Sequence, residues 1–319
     1  MAGLNDFVVF NDFAQRSFTE VMDQQVNLWN AATRNALVMT SASNIGDFME
    51  ESSYQAISDL VGNRNAYGTG ALTAVDLAQL LNISVKVGGH SKPVQYTGTS
   101  FDWTKRPADE AGVIFGEQVA AGAMQYKLNT AIAALVASIS ATDVTFDGTA
   151  AKASLDSLNS GAGKMGDRQS QLAAWIMHSK SITDIYGTAL SNSNRLFTFG
   201  TVNVVDDGFG RPLIMTDSDA LHFDNSGTEN YHQLGLVSGA CVVEDNGDMR
   251  TYNQSLVERE NAKEIVKSEF SFNVGVKGYA WDKANGGKSP NDAALALSTN
   301  WDRTASSLKD TAGVKVTTL

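Results

Sequence analysis

The sequence lacks most of the features that mark secreted, membrane-spanning or disulfide-bonded proteins. It has one cysteine and four prolines in 319 residues, so no intrachain disulfide can form. Its most apolar stretch, residues 131–139, is about half as long as a membrane-spanning helix needs to be. Residues 1–10 lack the basic start of a signal peptide. These absences predict a soluble cytosolic product.

Positive charge is also scarce. The chain has 24 lysines and arginines against 35 aspartates and glutamates, a formal net charge of -11. Proteins that grip nucleic acid through its phosphates need a positive surface, so a dedicated DNA-binding protein is disfavoured. A wall that encloses DNA without binding it tightly is compatible with this charge. Residues 1–61 hold eight acidic and two basic residues, and this segment therefore has over half of the net charge.

Two short motifs have only part of a ligand-binding pattern. Gly161–Lys164 resembles a phosphate-binding loop, but Leu158 replaces its first glycine and Met165 replaces the Ser or Thr that would hold Mg²⁺. Asp245–Asp248 resembles the start of a calcium-binding loop. However, a glycine stands at the third position and no glutamate stands at the twelfth, so two of the required ligands are missing. A helix stop and a tight turn between strands are the favoured interpretations.

The other candidate side chains are single histidines, one thiol and a charged turn. None of the histidines lies at a metal-ligand spacing from another His or Cys, and no nucleophile elbow occurs. His178 is expected to be a hydrogen-bonded residue at a strand end, Cys241 to pack in the core, and the charged turn to be solvated. The residues considered are His90, His178, His222, His232, Cys241, Asp206, Asp207 and Arg211. The sequence therefore predicts a protein that is not an enzyme and has no cofactor and no metal.

What the sequence does contain is apolar material for a core, 43% of its residues, arranged in distinct segments. Residues 1–35 mix apolar and polar residues in a way that favours an arm packing on something else. The segment 39–103 is rich in Ser, Gly, Thr and Asn, with strand-like alternation at Ile83–Val87 and Val94–Thr97 around a predicted turn, Gly88–Ser91. A structureless loop of that length is uncommon inside a domain, which favours an extended two-stranded excursion toward a neighbour.

A long helix is predicted over Pro107–Ser138. Pro107 suits a first helical turn, Asp109 and Glu110 suit the positive end of the helix dipole, and apolar residues recur at helical spacing. About 32 residues at roughly 1.5 Å each give a rod near 50 Å long, enough to be the backbone of a domain.

Shorter helices and strands alternate after this helix, which indicates an α/β layer. Strands are predicted at Asp143–Phe146, Trp175–His178, Arg195–Val205 as a pair, Pro212–Met215, Phe270–Val276 and Tyr279–Trp281. Helices are predicted over Thr149–Leu158 with a stop at Gly161 and Gly163, from about Asp167, and over Ile182–Leu190 with Ser179 as cap. The last residues, including Trp301, are expected to form an extended tail.

Three motifs in this part of the chain carry a family resemblance. Met165–Asp167, then Ala173–Ser179, then Gly210–Asp217 resemble the order "MGD, apolar strand, MHS, helix, GRPVIVSD" of tailed-bacteriophage major capsid proteins with the Hong Kong 97 fold. Glu258–Glu260 with Phe270–Val276 and Gly278–Trp281 are similar to that family's closing strands. The resemblance covers roughly residues 105–282.

The resemblance implies an α+β Hong Kong 97-type capsid fold with five segments. By analogy these are an N-terminal arm at 1–38, an extended β-hairpin loop at 39–104, a spine helix of the peripheral domain at 105–141, an axial domain at 142–248, and peripheral-domain strands with a C-terminal tail at 249–319. No motif assigns the Lys–Asn bond that some relatives form between subunits.

The implied function is that of a coat subunit of an icosahedral phage head. Copies would self-assemble into pentamers and hexamers in the host cytoplasm and enclose double-stranded DNA in the virion without sequence-specific binding. Expected partners are the protein itself, portal and scaffolding proteins, and decoration proteins. Because the arm comes at once after Met1, scaffolding is expected to be a separate protein.

Charged residues of the loop are expected to face basic groups on an adjacent copy. The acidic residues are Asp47, Glu50, Glu51 and Asp59, and the basic ones are Arg106, Lys263, Lys267 and Lys277. Surface pairs of this kind contribute about 0 to 1 kcal/mol each, so repetition and burial must supply the stability.

Two other functions stay open at this point. One is an encapsulin-like nanocompartment shell, which is distinguished from a phage head by genome-length DNA inside the particles. The other is a soluble α/β enzyme with an unrecognised site, which a monomeric species in sedimentation would favour.

Overall fold

The structure is a computed structural model, and it describes most of the chain. The described residues are 4–41, 44, 46–54, 66–71, 79–97, 108–189, 197–199, 202–206, 210–258, 260 and 263–319. Two long helices and two β-sheets make up most of this part. None of its helices combines the length and hydropathy that crossing a bilayer requires.

The longest helix confirms the sequence prediction. Helix α2 spans Ala108–Ser138, and Pro107 lies outside the described residues. Its second half is buried nearly all round, with Ile132 and Leu135 fully enclosed, because it packs against strands of both sheets. The helix α2 therefore joins the two halves of the molecule.

The first sheet contains nine strands among the described residues, in the order β1-β12-β14-β15-β16, with β2, β3, β4 and β13 attached. Its central strand is β14, whose first half pairs with β13 and β4 and whose second half pairs with β12 and β3. The bounds are β1 Leu37–Ser41, β2 Phe48–Tyr54, β3 Gln79–His90, β4 Val94–Thr97, β12 Cys241–Asp245, β13 Arg250–Leu256, β14 Lys263–Val276, β15 Tyr279–Trp281 and β16 Trp301–Arg303.

The second sheet contains eight strands among the described residues, in the order β5-β17-β11-β6-β9-β8-β7, with β10 paired to β11. The bounds are β5 Thr145–Gly148, β6 Leu172–Met177, β7 Phe197–Phe199, β8 Val202–Asp206, β9 Pro212–Met215, β10 His222–Asn225, β11 Thr228–Val237 and β17 Gly313–Thr318. This sheet contains the predicted strand pair at 195–205 and the buried strand before His178, and both predictions are confirmed.

Short helices border the second sheet, and two of their predicted bounds are wrong. Helix α3 spans Leu155–Gly163 instead of starting at Thr149, because Ser154 caps its first turn in a capping box. Gly161 lies inside α3, where a Cβ would be 2.2 Å from Val316 Cγ2, so this glycine permits close packing on β17. Helix α4 spans Ser179–Ala189 and begins three residues before the predicted Ile182. The remaining helix, α5, spans Asp292–Leu295, and the segment from Asp167 is part of a 3₁₀ helix, Gly166–Gln171.

The turn predicted at Gly88–Ser91 is also wrong, because Gly88, Gly89 and His90 continue β3. Strands β3 and β4 do not pair with each other, and both lie along β14 instead. A Cβ on Gly89 would be 2.4 Å from the Phe270 ring. The glycine is present here because an aromatic ring of β14 covers the backbone, and not because the chain turns.

The expected C-terminal tail is a structural strand. Trp301 is buried against Trp281, with ring centroids 5.0 Å apart. Further on, β17 lies between β5 and β11, with Val314 and Val316 fully buried. The two sheets consequently do not divide the chain at residue 248, since β17 belongs to the second sheet and β12 to the first.

Candidate assembly surfaces

The N-terminal segment is a helix that lies on its own chain, which corrects the expectation that it packs only on something else. Helix α1 spans Leu4–Ala32. Phe10, Ala14, Phe18 and Met22 recur every four residues and form a buried stripe on α1. Val26 continues this series, and Phe13 and Val21 add apolar residues beside it, so the period is not apparent from the sequence alone.

Two glycines of α2 set the distance between the long helices. A Cβ on Gly112 would be 2.6 Å from the Phe10 carbonyl oxygen, and a Cβ on Gly116 would be 2.3 Å from that of Ala14. The Ser17 hydroxyl also donates to the Val113 carbonyl at 3.2 Å. Because any larger residue would collide with the α1 backbone, these glycines determine how closely α1 packs on α2.

The outer surface of α1 retains exposed apolar side chains. Phe13 is 37% exposed and Leu28 is 60% exposed. An isolated exposed leucine is ordinary on a protein surface. The buried face of α1 already packs on α2. The exposed side chains of Phe13 and Leu28 are therefore available to contact a second molecule.

The extended segment predicted in 39–104 contains a two-stranded antiparallel ribbon. The ribbon is formed by β2 and the first half of β3, with Phe48 opposite Val85 and Tyr54 opposite Gln79. Strand β14 pairs with β3 only from Val85 onward. The first half of β3 therefore has β2 as its single ladder partner among the described strands, and Leu81 on it is 43% exposed.

A buried lysine, Lys127, connects helix α2 to the first sheet. Lys127 of α2 is 1% exposed and forms an ion pair with Asp245 at the end of β12. Its Nζ atom lies 5.7 Å and 5.8 Å from the ring centroids of Phe270 and Phe272, a cation–π arrangement. Since a buried charge is costly unless paired, this contact ties α2 to the first sheet.

A second lysine occupies the base of the ribbon. Lys86 Nζ donates to the Asn44 carbonyl at 3.2 Å and lies 3.9 Å from Asp248 Oδ2. Asp248 in turn accepts from the Ser271 amide at 2.7 Å. The Asp245–Asp248 segment is not the predicted tight turn, because β12 and β13 run in the same direction along β14 and this segment connects them without reversing the chain. Lysine ammonium groups lie beside the Asp245 and Asp248 carboxylates. Within the described residues, no cluster of three or more His, Cys, Asp or Glu is placed to hold a metal ion.

Two of the acidic residues proposed for inter-subunit pairing, Asp47 and Glu50, have partners within the chain. Asp47 Oδ2 lies 3.1 Å from Lys288 Nζ, and Glu50 forms an ion pair with Lys283. Glu51 is exposed and lines a depression of about 390 Å³ whose wall also includes Lys277. Asp59 lies outside the described residues.

The basic residues proposed for the same role are scattered. Lys267 Nζ lies 2.7 Å from Glu269 Oε1, and Lys277 Nζ lies 3.5 Å from the Ser238 carbonyl. Lys263 is partly buried at the start of β14, and Arg106 lies outside the described residues. Among the described residues of the two sets, Glu51 and Lys277 line the same depression, and the expected pairing between adjacent copies stays a prediction.

A larger groove, of about 700 Å³, runs between α2 and the bend that joins β3 to β4. Its floor includes Phe115, Val119 and Phe270, and His90 and Lys92 lie at its rim. Val94 in its wall is 46% exposed. The groove therefore combines apolar side chains with basic groups and one carboxylate, that of Asp292.

Apart from His90 in the groove and Asp245–Asp248 near the base of the ribbon, the candidate chemical residues of the sequence lie elsewhere in the fold. Gly161–Lys164 is the last turn of α3 with its cap, as expected for a helix stop. Cys241 is fully buried, and burial raises the pKa of its thiol to about 12, which confirms its packing role. Asp206 ends β8, Asp207 is outside the described residues, and Arg211 is partly buried.

Three of the four histidines, His178, His222 and His232, lie in or beside the second sheet. His178 Nδ1 accepts from the Lys180 amide at 3.2 Å, which confirms the prediction of a hydrogen-bonded residue after a strand. Its ring lies 5.8 Å from that of His222. His232 stacks on Phe223 at 4.7 Å, and burial followed by the charge of Lys315 lowers its pKa to about 3. His90 is exposed at the end of β3.

Sequence reasoning missed two polar residues that hold these surfaces together. Lys127 lies among apolar helical positions of α2, and a lysine on an apolar helix face was the signal available for it. Asn30, in the last turn of α1, contacts β1 through its side-chain amide. No local pattern could reveal Asn30, because its partner is defined only by the tertiary fold.

The comparisons with known proteins agree on one class. The model of the Gp13-like family, described as major capsid protein 13-like, matches residues 6–315. The cyanophage Pam1 capsid structure aligns with a TM-score of 0.54 at 10% identity over 88% of each chain. The capsid structure of Helicobacter pylori bacteriophage KHP30 aligns with a TM-score of 0.51 at 9% identity, over 91% of this chain and 89% of that one.

A third structure, from mycobacterium phage Cain, aligns with a TM-score of 0.51 at 11% identity over 89% of this chain and 90% of that one. A search of curated proteins finds no match. At these identities the structural likeness shows the fold alone. The α+β, Hong Kong 97-type capsid fold implied by the sequence resemblance is confirmed.

Proposed function

This chain belongs to the Gp13-like family of major capsid proteins, and on that premise we propose that its working form is a closed icosahedral shell of pentamers and hexamers. The protein is a structural component of a phage capsid. In the proposed shell, heterologous contacts between neighbouring copies close into rings, as rotation about a common axis requires. The shell encloses double-stranded DNA.

The observation that carries the proposal is the ribbon of β2 and β3. Seven residue pairs, from Phe48↔Val85 to Tyr54↔Gln79, form this two-stranded ladder. Two-stranded ribbons are marginally stable in water without a third strand or a packing surface. A neighbouring subunit supplies that surface in the proposed shell.

In the proposed shell, the ribbon of a neighbouring subunit binds in the groove beside α2. The ribbon is acidic, with Glu50 and Glu51 on β2, and the groove has Lys92 and His90 at its rim. Complementary charge favours encounter and register, and the apolar floor of Phe115 and Val119 supplies the buried area. The inter-subunit roles of Asp59, Arg106, Lys263 and Lys267 belong to this same proposal.

The two sheets have separate places in the proposed shell. We assign the second sheet to the axial domain, which surrounds the five- and six-fold axes, and the first sheet with α1 and α2 to the arm, loop and peripheral domain. The net charge of -11 suits a wall that must not bind its DNA tightly. Portal, scaffolding and decoration proteins are proposed partners, and assembly in the host cytoplasm is part of the same proposal.

The test is a charge placed on the ribbon, Leu81→Glu, with Leu297→Glu as the matched control. Both leucines are exposed, by 43% and 54%, but Leu297 lies away from the ribbon. Leu81→Glu should keep the wild-type melting temperature and lose most particles in sedimentation and electron microscopy, whereas Leu297→Glu should assemble normally. Normal particle yield from Leu81→Glu would contradict the role of the ribbon.

The contents of the particles test the enclosed cargo. Particles recovered from infected cells should contain genome-length DNA protected from nuclease. Particles filled with a protein cargo and without such DNA would favour the nanocompartment alternative. A monomer at all concentrations would contradict the shell itself.

A further inference from the structure

Residues 282–291 connect β15 to α5, and this segment reaches both surfaces that the proposed shell uses. Lys283 and Lys288 contact the base of the ribbon. The residues that follow, Ser289 to Asn291, form part of the wall of the groove beside α2. The surface that a subunit gives to its neighbour and the surface that receives a neighbour therefore meet in one short segment of chain.

Two lysines of this segment hold the start of β2. Lys283 forms an ion pair with Glu50, and its Nζ atom lies 5.2 Å from the centroid of the Phe48 ring, a cation–π arrangement. Lys288 Nζ lies 3.1 Å from Asp47 Oδ2. All three contacts lie at or beside the point where β3 stops pairing with β14 and the ribbon begins.

The segment that carries the lysines is itself fixed to the first sheet. The Asp282 carboxylate accepts from the Ala284 amide at 2.8 Å. The buried Trp281 side chain donates through Nε1 to the Gly287 carbonyl at 3.0 Å. A Cβ on Gly286 would be 2.2 Å from the same indole ring, so the glycine lets the backbone pack directly on it. The two lysines therefore extend from a firmly held turn.

The ribbon has room to move beside these contacts. It borders the depression of about 390 Å³, whose wall includes Met49 and Asn82 of the ribbon and Gly275 of β14. A two-stranded ribbon is only marginally stable by itself. Side-chain contacts at its base therefore determine the angle at which it leaves the first sheet.

We propose that Lys283 and Lys288 are positioning residues, which fix the angle between the ribbon that a subunit gives and the groove that it offers. This inference rests on the proposed function. In a ring of heterologous contacts, that angle sets the rotation from one copy to the next, and the ring closes only if the rotation is an integral fraction of a turn. The two lysines thus act on the geometry of the shell and not on the strength of the contact.

Distance measurements on unassembled full-length chains test the positioning role. Spin labels at Ser52→Cys on the ribbon and Leu155→Cys on α3 report the ribbon angle, because both sites are exposed and the native Cys241 is buried. In double electron–electron resonance, Lys283→Gln with Lys288→Gln should widen the distance distribution severalfold, because a neutral amide forms no ion pair. Lys283→Arg with Lys288→Arg, which keeps both charges, should retain the narrow distribution. Equal widths in the two variants would overturn the proposal.

The matched control removes the same charge elsewhere. Lys180→Gln with Lys309→Gln takes two lysines out of surface ion pairs beside the second sheet, with Asp184 and Asp167. Its distance distribution should be that of the wild type. A distribution as wide as that of the Lys283 and Lys288 variant would mean that net charge, and not these contacts, holds the ribbon, and would also overturn the proposal.

Assembly of the same variants separates geometry from contact strength. Lys283→Gln with Lys288→Gln should convert as much protein into particles as the wild type, but electron microscopy should show open particles or particles of mixed size. Uniform closed shells from this variant, or a complete loss of particles, would overturn the proposal. A wild type that forms no particles would contradict the proposed shell itself, and the distances in unassembled chains would still decide the role of the lysines.

Discussion

The two sheets differ in how completely their own chain buries them. In the second sheet, four consecutive residues of β6 from Ala174 to Met177 are fully buried, and β11 has five buried residues in succession. In the first sheet, β13 alternates between exposed and partly buried positions, Glu50 to Ser52 of β2 are exposed, and Tyr252 is 49% exposed. The second sheet is stabilised by its own core, whereas parts of the first sheet present surface that a partner can cover.

Helix α2 connects the two sheets. It contacts both sheets, and its polar groups reach each of them. Lys127 pairs with Asp245 of the first sheet, and Lys315 of the second sheet donates to the Val136 carbonyl at 2.9 Å. The contrast between the sheets can therefore be tested by breaking contacts on α2 and on each side of it.

The largest effect is expected from Lys127→Ala. Removing one partner of a buried ion pair costs about 3 to 5 kcal/mol, and the low end applies because Asp245 is 28% exposed. Urea unfolding should show a loss of about 3 kcal/mol. Lys127→Met, which keeps the aliphatic volume against Phe270 and Phe272, should lose less. Equal losses in both variants would mean that the charge of Lys127, and not the packing of its aliphatic chain, ties α2 to the first sheet.

A smaller effect is expected from Gly116→Ala, which acts on the arm alone. Its Cβ would be 2.3 Å from the Ala14 carbonyl oxygen, so α1 must shift, at a cost of about 1 to 3 kcal/mol. Gly122→Ala on the same helix has nothing within 4 Å of its new Cβ, and should stabilise the helix by up to about 1 kcal/mol. Hydrogen exchange should show faster opening of α1 in Gly116→Ala, with β6 and β11 unchanged. Equal protection of the α1 amides in both variants would contradict the close packing of α1 on α2 at Gly116.

The smallest effect is expected from His232→Gln in the second sheet, and it depends on pH. Burial lowers the pKa of His232 from 6.5 to about 3. Below pH 6.5 the unfolded chain therefore binds a proton that the folded chain does not, and stability falls by up to about 1.4 kcal/mol per pH unit. Thermal unfolding at pH 7 and pH 5.5 should show a weaker pH dependence in His232→Gln than in the wild type. His90→Gln, at an exposed site, should behave as the wild type does.

Sequence patterns predicted the elements whose signal is local. Helix α2 was predicted almost to the residue, because its acidic first turn and apolar period lie within one segment. Strands β6 and β9 were predicted because short apolar runs sit between clear turn residues. The family motifs lie in this same region, so the class of protein could also be recognised there.

Elements defined by distant partners were predicted poorly. Strand β17 was taken for a tail, because its ladder partners, β5 and β11, are remote in sequence. Gly88 and Gly89 were taken for a turn, although the Phe270 ring explains Gly89 without one. The proposed charged pairs involve two chains, and a single sequence holds no information on which copy each side chain faces.

The position of β17 has a consequence for how the subunit is made. A ribosome releases residues 145–237 well before residues 313–318, yet β17 must lie between β5 and β11 to complete the second sheet. Until that strand emerges, the flanking strands have a gap where Val314 and Val316 belong. A chain that ends before residue 313 therefore cannot complete this sheet.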